Sequence, residues 1–369
     1  MSPKYTNRRT FLKESLATGV GLATGWQILS RSSVARADEF TARVALTKGN
    51  ERADNTFRAL QIFKKEIAAA IGSKRVIIKP NFVYYSTLLS CTHVGCVEGV
   101  LEFLKSIGKR DVVMAESSAA GSTMAGYDLN NYWSLANKYP VKLMDLNQEG
   151  FANARIWSTG SLSETVPSRT IRISKMYLNP NNFIISCAPI KTHNTAVVTL
   201  SMKNVAMSAP VIDVGSAWSQ TGVRKDKAWM HGASGSAPGD YQALNDNVYR
   251  MAKVYGIHPH LAVLDAYQGM QGDGPVSGYA VPGQKVAVVS LDWLAADRVG
   301  LELMGPNNYR LLNALPYPAC LNYCWQAGLG EWDLSRIQVL GEPIAPNVFN
   351  YAAHSALASQ MGMRQTPRE

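Results

Sequence analysis

Beyond its amino-terminal segment the chain has no long apolar run, so nothing there is expected to span a bilayer. It has no run rich in Lys or Arg and no nucleic-acid motif, which leaves nucleic acid out of the expected partners. Low-complexity tracts and repeats at a solenoid period are missing too, and that excludes a repeat architecture. Cysteine is scarce: the five stand at Cys91, Cys96, Cys187, Cys320 and Cys324. Four of them form two close pairs whose spacings fit neither a ferredoxin run nor a zinc ribbon.

What is present begins with an address. Asn7-Arg8-Arg9-Thr10-Phe11-Leu12-Lys13 is a twin-arginine motif, followed by a mild Ala/Gly/Leu segment from Ser15 to Leu29 and a small-x-small site at Ala35-Arg36-Ala37. Residues 1–37 are therefore expected to be a signal peptide, read by the twin-arginine export machinery and cleaved so that the periplasmic protein starts at Asp38 with no stable membrane span. Export in the folded state suggests a cofactor or assembly completed beforehand. The signal holds six of the Lys and Arg residues against one Glu, about half of the formal net charge of +10. The remainder supports a mild attraction for anionic ligands and no more. In an oxidising compartment the Cys91/Cys96 and Cys320/Cys324 pairs are expected as two local disulfides, with a shared four-cysteine metal site as the alternative. Cys187, inside an apolar strand, is expected as a buried thiol.

Residues 38–342 read as one α/β domain. Strands near Ala42–Leu46, Arg75–Ile78, Asp111–Ala115, Val141–Asp145, Phe183–Ala188, Leu261–Leu264 and Lys285–Leu291 alternate with helices near Thr56–Ala70, Val97–Ile107, Trp133–Lys138 and Gln242–Tyr255. This rhythm predicts a mostly parallel sheet wound by helices. Residues 150–180, rich in Ser and Thr with period-two alternation, are expected as a small antiparallel excursion. Residues 208–240, rich in Gly, Ser and Ala but carrying Trp218, Trp229 and His231, are expected as a long lid-like loop. Residues 343–369 are left as a carboxyl-terminal tail.

Polar residues follow the strands. Lys79, Glu116, Lys191, His193, Asp265 and Asp292 each come just after an apolar run, and parallel strands would set them on one rim, where α/β folds bind ligands. The densest stretch runs from Asn182 to Asn204. Pro189 is expected to end its strand, Lys191 and His193 to sit on the following loop, and a helix to start near Val197 and carry Lys203 and Asn204. His193, Glu116 and Lys203 are the candidate catalytic groups, and Lys79, Asn81, Lys191, Asn204 and His231 the candidate ligand- or cofactor-binding groups.

The segments Ile78-Lys79-Pro80-Asn81, Ala115-Glu116-Ser117-Ser118, Pro189-Ile190-Lys191-Thr192-His193, Met202-Lys203-Asn204, Met230-His231 and Gly272-Asp273-Gly274-Pro275 resemble, in order, the family called domain of unknown function 362. The resemblance spans about residues 75–340 and implies no settled activity. Some members add a ferredoxin-like iron–sulfur module, which has no counterpart here. The spacing of His193 and Lys203 is also similar to that of a histidine and a cofactor-bearing lysine in nickel-pincer nucleotide lactate racemases. Val197 to Met202 replace the glycine-rich run of those enzymes, which argues against a nickel cofactor on Lys203.

The expected function is an exported enzyme, dependent on a cofactor or metal (a metal ion, an iron–sulfur cluster or a nucleotide-type cofactor), that acts on a small anionic substrate by redox or proton-transfer chemistry. A non-catalytic periplasmic ligand-binding or assembly protein is the alternative, because holding an anion and activating it use the same residue types.

Overall fold

The computed structural model describes residues 40–119, 121–157, 168–213, 226–232, 240–316 and 319–362. The expected signal peptide and most of the expected lid-like loop, Trp218 included, lie outside the described residues.

Alternation within short apolar runs builds the centre. In β2 (Arg75–Lys79), β3 (Val112–Glu116) and β7 (Asn182–His193), successive side chains enter different cores: Ile77, Val113 and Ile184 join one, while Val76, Ile78, Val112, Met114, Phe183 and Ile185 join the other. The sheet is covered on both faces, and each fully buried Val or Ile contributes roughly 1.5–3 kcal/mol by leaving water. With β1 (Ala42–Lys48), β4 (Val141–Asp145), β9 (Leu261–Gln271), β11 (Val286–Ser290) and β12 (Ile337–Gly341), the main path runs β12-β1-β11-β9-β7-β2-β3-β4. The β12–β1, β9–β7, β7–β2, β2–β3 and β3–β4 pairs are parallel, and on this path β11 alone runs against its neighbours. The fold is α/β with a mostly parallel sheet.

β5 (Phe151–Trp157) and β6 (Ser168–Ser174) form a separate two-stranded antiparallel sheet within the expected excursion. Of the helices, Val94–Ser106 starts where His93 Nδ1 accepts the N–H of Gly95 (3.0 Å), and it packs closely on the helix Arg52–Ile62. Gly99 makes that approach possible: a Cβ there would meet the carbonyl oxygen of Ala53 at 2.4 Å. The expected single helix over Thr56–Ala70 is broken at Phe63, whose φ of −110° and ψ of 24° leave the helical region.

Three differences from expectation shape the site. First, Pro189 does not end its strand, since β7 continues to His193 with every residue buried. Proline is tolerated because β2 no longer pairs beyond Ser186 and the β7–β9 register shifts between Pro189 and Lys191. Second, Val197 begins a short strand and not a helix. β8 (Val197–Thr199) folds back on β7, setting Lys191 opposite Thr199 and His193 opposite Val197, and the helix Ser201–Ala206 follows. Val197 takes φ 65°, a costly value for a β-branched residue, so surrounding packing must hold it there. The small β10 (Tyr279–Ala280) similarly folds back on β9. Third, because β11 is antiparallel, Asp292 lies at the opposite sheet edge from the other strand-end residues. There it caps the helix Trp293–Leu303, accepting the N–H groups of Leu294 and Ala295 at 3.0 Å each.

Candidate functional site

Lys79 ends β2 and Glu116 ends β3, two neighbouring parallel strands, so their side chains meet. Lys79 Nζ donates to Glu116 Oε2 at 2.7 Å, to Asn204 Oδ1 at 3.0 Å and to the carbonyl of Pro80. That uses all three donors of the ammonium. Glu116 also accepts the N–H of Phe82 (2.7 Å) and of Ser117 (2.7 Å). A carboxylate with three donors on it holds the floor together and is poorly placed to move protons, a different part from the catalytic one expected of Glu116.

A second layer rests on this pair. Asn204 Nδ2 donates to the carbonyl of Lys79 (3.1 Å) and to Ser186 Oγ (3.0 Å), while its Oδ1 also accepts from Asn81 Nδ2 at 3.0 Å. Asn81 Oδ1 in turn accepts from Lys191 Nζ at 2.9 Å, and Lys191 gives a second donor to the carbonyl of Ser90. One Lys191 donor remains. Burial, reinforced by the charges of Lys203 and Lys79, lowers Lys191 to about 7.

Lys203 differs from both. It lies in the helix Ser201–Ala206, is buried, and has no hydrogen-bond or ion-pair partner among the described residues. Burial lowers it to about 8, far enough for about a tenth of it to be the free amine at pH 7. The helix is held from below by Asp297, which accepts Ser201 N–H (2.7 Å), Ser201 Oγ–H (2.6 Å) and Met202 N–H (3.0 Å).

His193, at the end of β7, accepts the N–H groups of Thr195 (2.9 Å) and Ala196 (3.2 Å) on Nδ1. The neutral ring therefore carries its proton on Nε2. Burial first, and then the charge of Lys203, hold its pKa well below the usual histidine range. His193 is thus a neutral hydrogen-bond donor, where the sequence suggested an acid–base group titrating near neutrality.

Sequence reasoning missed Lys227. It lies in the short helix Asp226–Trp229, donates to Ser117 Oγ (2.7 Å) and to the Ser117 carbonyl, and is lowered to about 7 by burial. Arg172 of β6 fixes this helix by donating to Asp226 (2.6 Å), and it also donates to Asp213 (2.7 Å). The available signal was the four-residue interval from Lys227 to His231, one helical turn. His231 is buried, and burial lowers it to about 3.

These groups surround one cavity of about 720 Å³, a size suited to a small molecule. Lys79, Asn81, Glu116, Lys191, His193, Lys203, Asn204 and His231, all named from sequence, line it together with Lys227. The facing wall is the Asp273–Ser277 loop with His354 and Ser355. Residues 343–362 are therefore part of the domain and not a loose tail: Tyr351 is fully buried and donates to Gln284 Oε1 at 2.6 Å, and Asp273 accepts the N–H of Ser355 at 2.9 Å. Asp265, expected on the rim, faces away; it sits within β9, 3.4 Å from Arg52, outside the cavity lining. Trp229 packs beneath the Arg169 guanidinium, whose carbon lies 4.4 Å from the indole ring centroid.

The cysteines do not pair as expected. All five are buried free thiols. Cys96 lies beside Cys187, whose proximity and the burial of the site push its thiol well above the usual range, and burial raises Cys91 to about 11 and Cys320 to about 12. Among the described residues no group of three or more His, Cys, Asp or Glu side chains is arranged to hold a metal. The donor set thus fits neither a metal ion nor an iron–sulfur cluster, and a lysine-lined cavity favours anions. The phosphates of a nucleotide-type molecule have the charge these lysines would hold.

Residues 76–302 match a family model described as domain of unknown function (DUF362). No curated protein matches the chain. A crystal structure of a structural-genomics target protein from Thermotoga maritima matches with a TM-score of 0.42 and 12% identity, covering 69% of this chain and 60% of that one. The chain thus spans less than two thirds of that protein, and the likeness carries nothing about activity.

Proposed function

The chain belongs to the DUF362 family, and from that premise we propose that it is an exported enzyme that holds a small anionic molecule in the lysine-lined cavity and carries out proton-transfer chemistry on it. The observation that carries this reading is the state of Lys203: an amine inside the cavity, with no partner among the described residues, beside lysines that are already tied down. Donor counting gives the roles. Lys79 has none to spare and is a strut. Lys191 and Lys227 have one left each, suited to anionic oxygens of the ligand. Lys203 has all of its own and, with no acceptor on its nitrogen among the described residues, is the group free to exchange a proton with the ligand, which its lowered pKa allows. His193 lines the same cavity, and its Nε2–H, with Nδ1 already occupied, suits an oxygen on which charge develops, since a neutral, fixed donor in a dry site needs no reorganisation.

The test is calorimetric titration of the folded protein with inorganic phosphate and with succinate, followed by NMR detection of proton exchange from carbon next to the carbonyl of small anionic ketones in deuterated buffer. Binding and exchange are expected in the wild type. Lys203→Arg should keep binding, because the charge stays, and lose exchange, because arginine is no base near neutral pH. Failure of every such anion to bind would overturn the reading. The alternative, a binding protein without turnover, is favoured by one observation, the full commitment of Glu116 to three donors. It predicts binding with no exchange in either form.

A further inference from the structure

Within the cavity the lysines divide by what surrounds each nitrogen. Lys79, Lys191 and Lys227 donate to carbonyl, carboxylate, amide or hydroxyl oxygens that hold them fixed. Lys203 meets none of these, and the carboxylate in the cavity floor, Glu116, is taken by Lys79 and two backbone N–H groups. An ammonium that only had to attract anions would gain from a nearby acceptor. A nucleophilic amine needs the reverse: no acceptor to keep its proton, burial to disfavour its charge, and an open cavity beside it. All three conditions hold at Lys203 among the described residues. It also lies close enough to His193 for its charge to bear on that ring, whose Nε2–H is left undonated by the two bonds fixed on Nδ1.

We propose that Lys203 is a covalent nucleophile, forming an imine with the carbonyl carbon of a small 2-oxo acid whose carboxylate is held by Lys191 and Lys227. The step balances without any further reagent. The free amine of Lys203 adds to the carbonyl carbon, and an N–H proton passes to the oxygen to give a carbinolamine. That oxygen leaves as water when protonated, and the nitrogen closes to the imine. Burial supports the step, because it lowers Lys203 enough to supply free amine. His193 Nε2–H donates to the carbonyl oxygen as charge collects there. Lys191 and Lys227, each with one unused donor, fix the acid group and so aim the carbonyl at Lys203. The proposal rests on the anion-binding reading above.

The experiment is reductive trapping. The folded mature protein is incubated with 2-oxoglutarate and sodium cyanoborohydride, and adducts are located by intact mass and peptide mapping. The expected result is a single adduct per chain on Lys203, suppressed by excess inorganic phosphate and lost in Lys203→Arg. Adducts scattered over surface lysines, insensitive to phosphate, would overturn the proposal, and the wild-type map alone decides this even if the variant does not fold. Succinate titration separates the two levels. Succinate binding with no trapped adduct overturns the imine and leaves the anion site standing; absence of both overturns the imine together with the reading beneath it.

Discussion

At Lys203 a buried amine is left without a partner among the described residues, and such a group is costly. Its fall from an ordinary lysine value of 10.5 to about 8 corresponds to a penalty on the order of 3 kcal/mol when the group is charged. Lys203→Met is therefore expected to raise resistance to urea while weakening phosphate binding, with Lys191 and Lys227 still in place, an opposition that unfolding curves and calorimetry on the same sample would show. Unchanged binding would remove Lys203 from the site. The sign with pH follows from the same shift. Lys191, Lys203 and Lys227 have folded pKa values of about 7 to 8, below their unfolded values. The unfolded chain then binds more protons above pH 7, and their contribution to stability increases as pH rises. Between pH 7 and about 8, before most of the unfolded chain's cysteines ionise, unfolding free energy should climb and anion affinity should fall, with a smaller climb in Lys203→Met. Most of these lysines were legible in the sequence because each closes or follows an apolar strand. Lys227 was not, since its place depends on Arg172 gripping Asp226 across 54 residues of chain. The occupied state of Glu116 was hidden for a similar reason: two of its three donors are backbone N–H groups, which no side-chain pattern reveals.

At the scale of elements, the hairpin β7–β8 and the helix after it bring His193 and Lys203 together, and Asp297 secures that helix from the next layer. Asp297→Asn should leave a buried amide nitrogen facing backbone or hydroxyl donors, costing about 1–3 kcal/mol and weakening phosphate binding as Lys203 shifts. A variant with lowered stability but unchanged affinity would show that Lys203 is held by other contacts. The loop opposite is fixed as tightly: Thr192 Oγ1 donates to the Gly272 carbonyl at 2.8 Å, and a Cβ on Gly274 would meet the Thr192 carbonyl oxygen at 2.1 Å. Apolar periodicity located the main strands because both faces of the sheet are covered. It misjudged Pro189 and Val197 because both depend on pairing: one is tolerated at a register shift, and the other opens a short strand that turns back on β7. Likewise the reversed direction of β11, which moves Asp292 to the far edge, is a property of its neighbours and leaves no trace in its own sequence.

For the whole molecule, the free thiols make a simple count. Denatured in the absence of reductant, the protein should yield five reactive thiols, and natively they should react slowly because all are buried; a count of one would restore the two disulfides. Replacing Arg8 and Arg9 by Lys should stop periplasmic accumulation if the leader is read as proposed. The position of β1 between β11 and β12 has a further consequence, for the order in which the molecule can be made. A nascent chain emerging from the ribosome can pair β2, β3, β4, β7 and β9 as they appear, but β1, made before all of them, has no neighbour until β11 and β12 have been translated. His354 and Ser355, which finish the cavity wall, come later still. The sheet and its ligand site thus close only after β12 and then residues 354–355 have been made, so a chain stopped after Arg336 should accumulate as an aggregating intermediate with an unpaired β1 edge.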